Sequence, residues 1–442
     1  GPIGEIVNIN TQKELIDTFG EPTAAHAEDW MVPSEFLNYG GRLAVVRAES
    51  TGALNATTGG TGTLIRNEED WMAGTGTSNV LAAKSAGTHG NRLVGVLVDA
   101  GADYILTLAS DPANVTLNAG DSLTFGAVTA TVISGDWTAL VVKADGAITS
   151  ASVLTDGGAT VAVSSAKDWY LNTTVEGVAL SAIGPRPAST QFALDNGFSG
   201  DAVHFAVIDR ISGTLVERFT YLSKLTDARD AEGGNIYYKS VINEQSRFLF
   251  QGAAPATDAN LGGTIALGTA STATAGAFVQ FGAFNDRLED GADGSGYTAG
   301  QWGDAMDLFL DTEDTEIDFV LMGGSMTSES DTKAKATKAI AIAASRKDAI
   351  AFVSPHKGNQ IASSGGALTA TQQKENTLAF FSDLTSTSYA VFDSGYKYVY
   401  DRFNDVYRYI PTNGDVAGLC VQTSNLQEDW YSPAGLNRGG IL

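Results

Sequence analysis

The sequence is poor in the residues that build disulfides, metal sites and basic binding surfaces. Its 442 residues include one cysteine and four histidines, which excludes a disulfide framework or a CxxC metal site within the chain. Lys and Arg number 27 against 51 Asp and Glu, and the net charge of −24 argues against nucleic acid as a partner, because phosphate binding needs clustered Lys and Arg. No run of about 18 apolar residues occurs, so the sequence predicts no membrane insertion.

Residues suited to catalysis or metal binding occur only in weak patterns. The histidines match no HExxH or similar metal-binding spacing, so each is expected in a loop or on the surface. They are His26, His89, His204 and His356. Cys420 is expected to be a buried small residue, with a reactive thiol as the alternative. We therefore expect no enzyme activity, no metal and no cofactor.

Two short stretches keep catalytic or metal-binding alternatives open. "MGGSMTS" follows an apolar run, as a serine nucleophile elbow would, but the second glycine of G-x-S-x-G is not in place. "LEDGADGSG" supplies Asp290 and Asp293 beside glycines without the spacing of a calcium-binding loop, so a solvated turn is the better interpretation.

Periodicity and turn residues indicate an α+β chain of several domains. We expect an α/β domain with a βαβ unit in the last third, a mixed α/β domain in the middle, and a small all-β inserted domain. The mixed domain is expected in two segments, residues 1–100 and 169–285. The inserted domain, a small barrel or sandwich, is expected at residues 101–168, and the α/β domain at residues 286–442.

Local signals within the first fifty residues predict two helices and a strand. Thr11 and Glu14 have the spacing of a capping box, and Gly20 ends the first helix. "AEDWMVPSEFLNYGG" predicts a second helix, entered around Pro33, followed by a strand at residues 42–48.

The later segments differ in their periodicity. Residues 103–166 contain short alternating segments separated by turns, which predict β-strands, and residues 252–278 are of low complexity and predict a long loop. Apolar runs at residues 316–323 and 349–355 enclose a helical segment at 331–347. Strand, helix and strand of these lengths predict a right-handed βαβ unit with parallel strands.

Seven tyrosines and a tryptophan lie close together in residues 388–435. Two strands are expected to meet as a hairpin at residues 393–395. On the second of these strands Tyr396, Tyr398 and Tyr400 should share one face, with Lys397 on the other. The tyrosines are consistent with a half-buried sheet and with a protein–protein surface, and both interpretations stay open.

The same segment closely resembles the signature region of contractile tail sheath proteins of T-even-like myoviruses. That region has a Ser-Tyr-Ala strand, a Tyr-Lys-Tyr strand, an Asp-rich turn, a proline-led helix entry, and a Trp followed by Ser-Pro-Ala-Gly. The matching positions are Tyr389, Tyr396, Tyr398, Asp401, Pro411, Asp415, Gly418, Trp430, Pro433 and Gly435.

The resemblance extends to the beginning of the chain. "GPIGEIVNINTQKELIDTFGEPT", "FLNYGGRLAVVRA" and "SAGTHGNRLVGVLV" resemble the first strands and helix of these sheath proteins, except at Ala86, where proline is usual, and at His89, where Trp or a similar residue is common. The matching positions are Gly1, Pro2, Phe19, Gly20, Arg47, Gly87 and Asn91. Mid-chain stretches resemble most the sheaths of phages that infect cyanobacteria and other marine bacteria.

The resemblance implies a structural protein whose copies form stacked hexameric rings around a tail tube and contract to drive that tube through the host envelope. The implied partners are further copies, the tail tube protein, and the baseplate and tail terminator proteins, in a virion assembled in the host cytoplasm. The family's N-terminal arm and C-terminal domain are expected to lie outside this sequence. Because those arms exchange strands between copies, this 442-residue form is expected to be monomeric or weakly associating.

Two functions of other classes stay open. One is a hydrolase or lyase with an accessory β module, and the other is a secreted β-rich adhesin, which the Gly/Thr/Ala-rich middle favours. Negative-stain microscopy would separate them, because only a sheath polymerises into hollow striated cylinders.

Overall fold

The computed structural model describes residues 1–99, 104–112, 115–118, 121–144, 148, 152–155, 161–165, 169–198, 200–253, 278, 282–435 and 439–442. The fold is mixed α/β, as the sequence predicts, with helices and several small sheets. Parts of the predicted insert and almost all of the predicted loop at residues 252–278 lie outside the described residues.

Helices and strands alternate along most of the described chain. The helices are α1 (Gln12–Phe19), α2 (Ala27–Leu37), α3 (Glu68–Met72), α4 (Trp169–Asn172), α5 (Leu180–Ile183), α6 (Gln191–Asp195), α7 (Tyr238–Gln245), α8 (Ala299–Met306), α9 (Glu329–Arg346), α10 (Ala370–Ser382) and α11 (Asn413–Leu426). The strands are β1 (Ile6–Ile9), β2 (Leu43–Val46), β3 (Ala53–Leu54), β4 (Leu81–Ala83), β5 (Leu93–Val98), β6 (Tyr104–Leu108), β7 (Ser122–Phe125), β8 (Val128–Ser134), β9 (Leu140–Ala144), β10 (Val161–Ser165), β11 (Thr174–Val175), β12 (Val178–Ala179), β13 (Ala202–Asp209), β14 (Thr214–Ser223), β15 (Leu249–Gln251), β16 (Ala283–Arg287), β17 (Ala292–Asp293), β18 (Phe319–Leu321), β19 (Ile350–Val353), β20 (Ala390–Phe392), β21 (Tyr396–Asp401) and β22 (Val406–Pro411).

The chain divides into two compact units. Unit 1 comprises Gly1–Gly52 together with Gly294–Leu442, and unit 2 comprises Ala53–Asp293. Unit 1 is therefore discontinuous in sequence, and unit 2 is inserted into it. The four-segment division expected from the sequence stays a prediction.

Unit 1 is built on three parallel strands. β18 pairs with β19 and β19 pairs with β20, and the 18-residue helix α9 connects the first two strands. The parallel pairing predicted for the last third is therefore confirmed. α9 begins after Ser328, whose side chain accepts the N–H of Asp331, and ends at Lys347 in the left-handed conformation.

Apolar clusters cover both faces of this sheet. Val320, Ala351 and Val353 pack with side chains of α8 and α9 in one cluster. Phe352 packs with Trp30 of α2 and with side chains of α11 in the other. Burial on both faces explains why these strands are continuous apolar runs in the sequence.

Two glycines of α11 allow this helix to lie close to α2 and to Tyr39, two residues beyond the end of α2. A Cβ at Gly414 would come within 2.4 Å of the Val32 carbonyl oxygen, and one at Gly418 would come within 2.3 Å of the Tyr39 ring. Positions four apart share one face of a helix. Any side chain at either position would therefore force α11 away from its neighbours.

Unit 2 contains an antiparallel sheet of four strands in the order β14-β13-β5-β16. Residues of β5 and β13 contribute alternately to two apolar clusters, one on each face. A buried ion pair joins Lys224 Nζ to Asp99 Oδ2 at 2.8 Å, and both side chains are fully buried. The Gly282 N–H donates to the other oxygen of Asp99 at 2.8 Å, so both oxygens of this buried carboxylate have a donor from the protein.

A second antiparallel sheet in unit 2 has five strands in the order β10-β6-β9-β8-β7. Leu106, Leu123, Val132 and Leu140 belong to its own apolar cluster. The short strands predicted for residues 103–166 are present. Whether this stretch is a barrel or a sandwich stays a prediction.

Two predictions of local structure in unit 1 are wrong. α2 begins at Ala27, so Pro33 lies inside the helix and not at its entrance. Burial of Trp30 and Phe36 on this helix stabilises it enough to tolerate an interior proline. The strands on either side of residues 393–395 do not form a hairpin, because β20 pairs with β19 whereas β21 pairs with β22.

One histidine prediction is also wrong. His204 is fully buried on β13, where the Tyr221 N–H donates to its Nδ1 at 3.0 Å and its Nε2 lies 2.7 Å from the Pro185 carbonyl oxygen. Burial lowers the pKa of His204, although its hydrogen bonds to the main chain act to raise the pKa. The histidine therefore has a structural role in the sheet, which its spacing in the sequence could not indicate.

Candidate assembly surface on the tyrosine hairpin

β21 and β22 form an antiparallel hairpin, which we call the tyrosine hairpin. Tyr398 lies opposite Tyr409 and Tyr400 lies opposite Tyr407 on one face. Lys397 belongs to the opposite face, which is turned toward the protein interior. The alternation predicted for this strand is therefore confirmed.

The outer face of the tyrosine hairpin is an exposed aromatic layer. Tyr398, Tyr400 and Tyr407 expose 59%, 50% and 62% of their surface. The Tyr398 ring centroid lies 5.2 Å from that of Tyr407 and 4.6 Å from that of Tyr409. Tyrosine is enriched at the centres of protein interfaces, because its rigid ring offers apolar area and its hydroxyl offers a hydrogen bond.

The inner face of the tyrosine hairpin is packed and charged. Ile410 is fully buried in the apolar cluster that contains Trp30. Asp401 is also buried, and it accepts hydrogen bonds from Arg408 Nε and Asn404 Nδ2, both at 2.8 Å. Burial alone would raise the pKa of Asp401, but these hydrogen bonds and those from main-chain N–H groups hold the pKa below its usual value.

A second charged cluster fixes the hairpin to α2 and α11. Lys397 Nζ donates to Asp415 Oδ1 at 2.7 Å and to Glu35 Oε2 at 3.1 Å, and the Tyr39 hydroxyl donates to Asp415 Oδ1 at 2.9 Å. Burial raises the pKa of Asp415, and the charge of Lys397 opposes this shift. Asp415 Oδ2 is buried without a hydrogen-bond partner in the part of the chain that the structure describes. This carboxylate therefore depends on Lys397 to remain charged.

A polar network joins the carboxyl ends of the three parallel strands to the start of α11. Asn413 Nδ2 donates to the Gly323 carbonyl at 3.0 Å and to Ser354 Oγ at 2.9 Å. Ser354 and Thr412 donate their hydroxyls to Asp393 at 2.7 and 2.9 Å. Ligands of α/β folds bind at this edge of the sheet, and here the protein's own side chains occupy it.

The "MGGSMTS" segment lies at the same edge. The Gly324 N–H donates to Asp29 Oδ1 at 2.8 Å, and the Ser325 N–H lies 3.3 Å from Glu28 Oε2. Lys335 Nζ, whose side chain is fully buried, donates to Asp29 at 2.8 Å. The N–H groups that could stabilise an oxyanion already face carboxylates, so this geometry gives the nucleophile interpretation no support.

The motif residues at the start of the chain stabilise one corner of unit 1. Arg47 Nη1 donates to the Gly1 carbonyl at 3.1 Å, and a side chain at Gly1 would collide with the Phe19 ring. Gly20 ends α1 with a φ of 80°, and its carbonyl accepts Trp30 Nε1 at 2.9 Å. Pro2, the residue after Gly1, is half-buried.

Gly87 and Asn91 belong to unit 2, whereas the tyrosine hairpin belongs to unit 1. Asn91 exchanges two hydrogen bonds with the main chain of Gly291, at 2.9 and 2.7 Å. Gly87 has a φ of 134°, and a Cβ there would come within 2.7 Å of Asp293 Oδ1. Both residues therefore shape a turn within unit 2.

The remaining motif residues lie on or near the tyrosine hairpin and the C-terminal segment. Tyr396 is half-buried and donates its hydroxyl to the Pro355 carbonyl at 3.0 Å. Tyr389 packs beside the α9 cluster, and Pro411 is buried at the end of β22. Beyond α11, Trp430 is 79% exposed and its ring lies 4.8 Å from that of Tyr431.

The last two motif positions follow Trp430. Pro433 is half-buried and Gly435 has a φ of 115°, which favours glycine. The structure therefore brings together the hairpin and α11 motif residues, and Phe19 of the start-of-chain motif packs on the same apolar cluster as the hairpin. Sequence reasoning missed Tyr39 and Lys397 as partners of Asp415, because their contact depends on the tertiary fold.

The described ranges contain neither a metal-binding cluster nor a membrane-spanning helix. Within those ranges, no three His, Cys, Asp or Glu side chains are grouped closely enough to hold a metal ion. Each helix that the structure describes is too short or too polar to cross a bilayer. Cys420 is half-buried on α11, and burial raises the pKa of its thiol.

Comparison with known proteins gives one consistent result. The chain is 27% identical to the tail sheath protein of Vibrio phage KVP40 over its whole length, covering 71% of that protein. The chain resembles phage tail sheath proteins from end to end. It is 24% identical to the tail sheath protein of Enterobacteria phage T4, again over the whole chain and 71% of the relative.

A third relative has the same name. The tail sheath protein of Salmonella phage ViI is 24% identical over 96% of the chain and 65% of its own length. No family model matches the sequence. The similarity supports a structural protein of a bacteriophage tail, a component of the virion, and none of the three names denotes an enzyme.

Proposed function

We propose that this chain is a structural subunit of a contractile phage tail sheath. Its copies assemble as stacked hexameric rings around a tail tube, and the array contracts to drive the tube through the host envelope for genome delivery. The observation that carries this proposal is the similarity to three tail sheath proteins along essentially the whole chain.

The proposed partners follow from this role. They are further copies of the chain, the tail tube protein, and the baseplate and tail terminator proteins, with assembly in the host cytoplasm. Contacts between copies must be heterologous, because a ring or helix of identical subunits joins different surfaces of each copy. Contraction then requires two arrangements of the same subunits.

The structure of unit 1 suits a subunit that moves as a rigid body. Ion pairs of the buried Asp401 and Asp415 fix the inner face of the tyrosine hairpin, and α11 packs on α2 through two glycines. These contacts leave the outer tyrosines outside the fold's own packing. We infer that Tyr398 and its neighbours contact another copy, and that Trp430 serves a second contact.

The other motif residues act indirectly in this proposal. Gly20, Asp401, Asp415 and Gly418 keep the exposed groups in position, as their buried contacts indicate. The acidic surface, with a net charge of −24, would keep weakly apposed copies able to slide past one another. Sheath contraction that does not depend on ionic strength would contradict that electrostatic role.

Electron microscopy of the product of the complete gene tests the proposed function. We expect hollow striated cylinders in negative stain when the purified protein is incubated at high concentration. A gene product that stays dispersed under all polymerising conditions, or that turns over a small molecule, would contradict the proposal.

A further inference from the structure

Unit 2 has an open groove of about 470 Å³ with two arginines in its wall. Tyr170, Leu171 and Pro185 supply much of its apolar lining, and Arg186 and Arg218 supply its positive charge. Leu171 is 63% exposed, so an apolar side chain faces solvent beside the two cations. This combination is unusual on a chain whose net charge is −24.

Arg218 is held in place by neutral groups. Its Nη1 donates to the carbonyls of Ala182 and Ile183, at 3.1 and 3.4 Å. These carbonyls at the end of α5 fix the guanidinium without cancelling its charge. A guanidinium positioned in this way recognises carboxylates.

A complementary ridge lies elsewhere on the same unit. α3 exposes Glu68 and Glu69, and Met72 is 77% exposed. Positions three and four apart lie on one helix face, so Met72 shares its face with both carboxylates. Trp71 points inward and stacks on Phe250 with ring centroids 4.7 Å apart, which anchors the ridge to unit 2.

We propose that the α3 ridge of one copy docks in the arginine groove of a second copy. Glu69 faces Arg218, and Met72 packs against the apolar wall at Leu171. Methionine suits such a contact because it is flexible and apolar. This inference rests on the proposed function, in which identical copies must contact one another.

The second copy is the favoured occupant for reasons of charge and geometry. Groove and ridge match in both charge and polarity, and every copy carries both surfaces. They lie over different apolar clusters of unit 2, the ridge over the one with Trp71 and the groove over the one with Tyr170. A contact between two different surfaces is heterologous, so it can propagate around a ring or along a helix.

The test measures cylinder assembly by the product of the complete gene, using light scattering and negative-stain microscopy. Glu69→Arg places like charges across the proposed contact, and we expect assembly to slow about tenfold. The control is Glu232→Arg, which makes the same charge change at another exposed position of unit 2 and should assemble at the wild-type rate. The double variant Glu69→Arg/Arg218→Glu restores opposite charges and should recover most of the rate.

A cysteine pair gives a second readout that does not depend on rates. In a Cys420→Ser background, Glu69→Cys with Leu171→Cys should give a ladder of covalent oligomers under oxidising conditions, only in assembled protein. Glu232→Cys with Leu171→Cys should give none. Thermal melting of every variant shows whether it is folded.

The outcomes separate this inference from the proposed function. If wild-type cylinders form but Glu69→Arg assembles like its control, the docking contact is wrong and the proposed function stands. If Arg218→Glu slows assembly while Glu69→Arg does not, the groove has another occupant and the inference is also overturned. If the wild type forms no cylinders, the proposed function itself fails.

Discussion

The two faces of the tyrosine hairpin come from the same strands and differ in what they contribute. Its inner face buries Asp401 and Ile410 and pairs Lys397 with Asp415, whereas its outer face leaves Tyr398 and Tyr407 more than half exposed. The inner contacts hold the fold together. The outer rings contact mainly one another, so we expect their value to lie in contacts with other molecules.

The largest expected effect comes from removing the cation of the inner face. Lys397→Met leaves Asp415 buried without its charged partner, and we expect the free energy of unfolding to fall by about 3–5 kcal/mol. Chemical denaturation of the 442-residue chain measures this change. The double variant Lys397→Met/Asp415→Asn removes the unpaired charge and should recover part of the loss. A loss below about 1 kcal/mol for Lys397→Met would mean that the inner face is not held by this pair.

A smaller loss of stability is expected where α11 contacts Tyr39. Gly418→Ala places a methyl group against the Tyr39 ring, and overpacking of this kind costs about 2 kcal/mol. Gly366→Ala is the control, since a Cβ there would meet no neighbouring atom. Equal stability of the two variants would show that α11 can shift without cost.

A pH-dependent effect is expected at the network below the hairpin. Burial raises the pKa of Asp393 from 3.8 to about 6, although the Ser354 and Thr412 hydroxyls oppose the shift. Because the folded-state pKa is raised, the contribution of Asp393 to stability is fully present below the unfolded pKa of about 3.9. It is lost as the pH rises through about 6. Asp393→Asn should remove this loss and be more stable than the wild type at pH 7.5 by about 1–2 kcal/mol.

Asp401 provides the opposite case for the same titration. Its pKa is held below its usual value, so its stabilisation is present above the unfolded pKa and is lost as the pH falls. Asp401→Asn should therefore be destabilised at neutral pH and approach the wild type in acid. Denaturation midpoints between about pH 2 and pH 8 measure both variants, because the Asp401 effect is expected only below the unfolded pKa of about 3.9. pH dependences of the same sign for the two variants would refute the assignment.

Much of the local structure could be predicted from the sequence. Thr11 caps α1 through the Glu14 N–H, and the strand–helix–strand order of unit 1 follows from buried runs around a helix with periodic apolar residues. Pro33 misled the prediction because tertiary burial of α2 overrides the preference of proline for helix starts. The turn at residues 393–395 misled it because sequence does not show that the strands on its two sides pair with different partners.

The candidate site was predictable in part. Alternation alone placed Tyr398 and Lys397 on opposite faces, but it could not show which face meets solvent. That depends on long-range partners, since Lys397 reaches Glu35 of α2 and Asp415 of α11. No sequence motif marks the groove at Arg218 or the ridge at Met72. Only the exposure and contacts of their side chains in the fold identify them.

We propose that the outer tyrosines serve assembly and contribute little to the stability of the fold. The double variant Tyr398→Thr/Tyr407→Thr tests this role of the tyrosines. Ile211→Thr, at a position of unit 2 that is 70% exposed, is the control. We expect the free energy of unfolding to fall by less than about 1 kcal/mol, because cross-strand pairs contribute little individually.

The deciding measurement is negative-stain microscopy of the complete gene product carrying this double variant. We expect a folded protein that forms no striated cylinders, while Ile211→Thr forms them as the wild type does. Cylinders formed by the double variant at the wild-type rate, from a protein of wild-type stability, would contradict it.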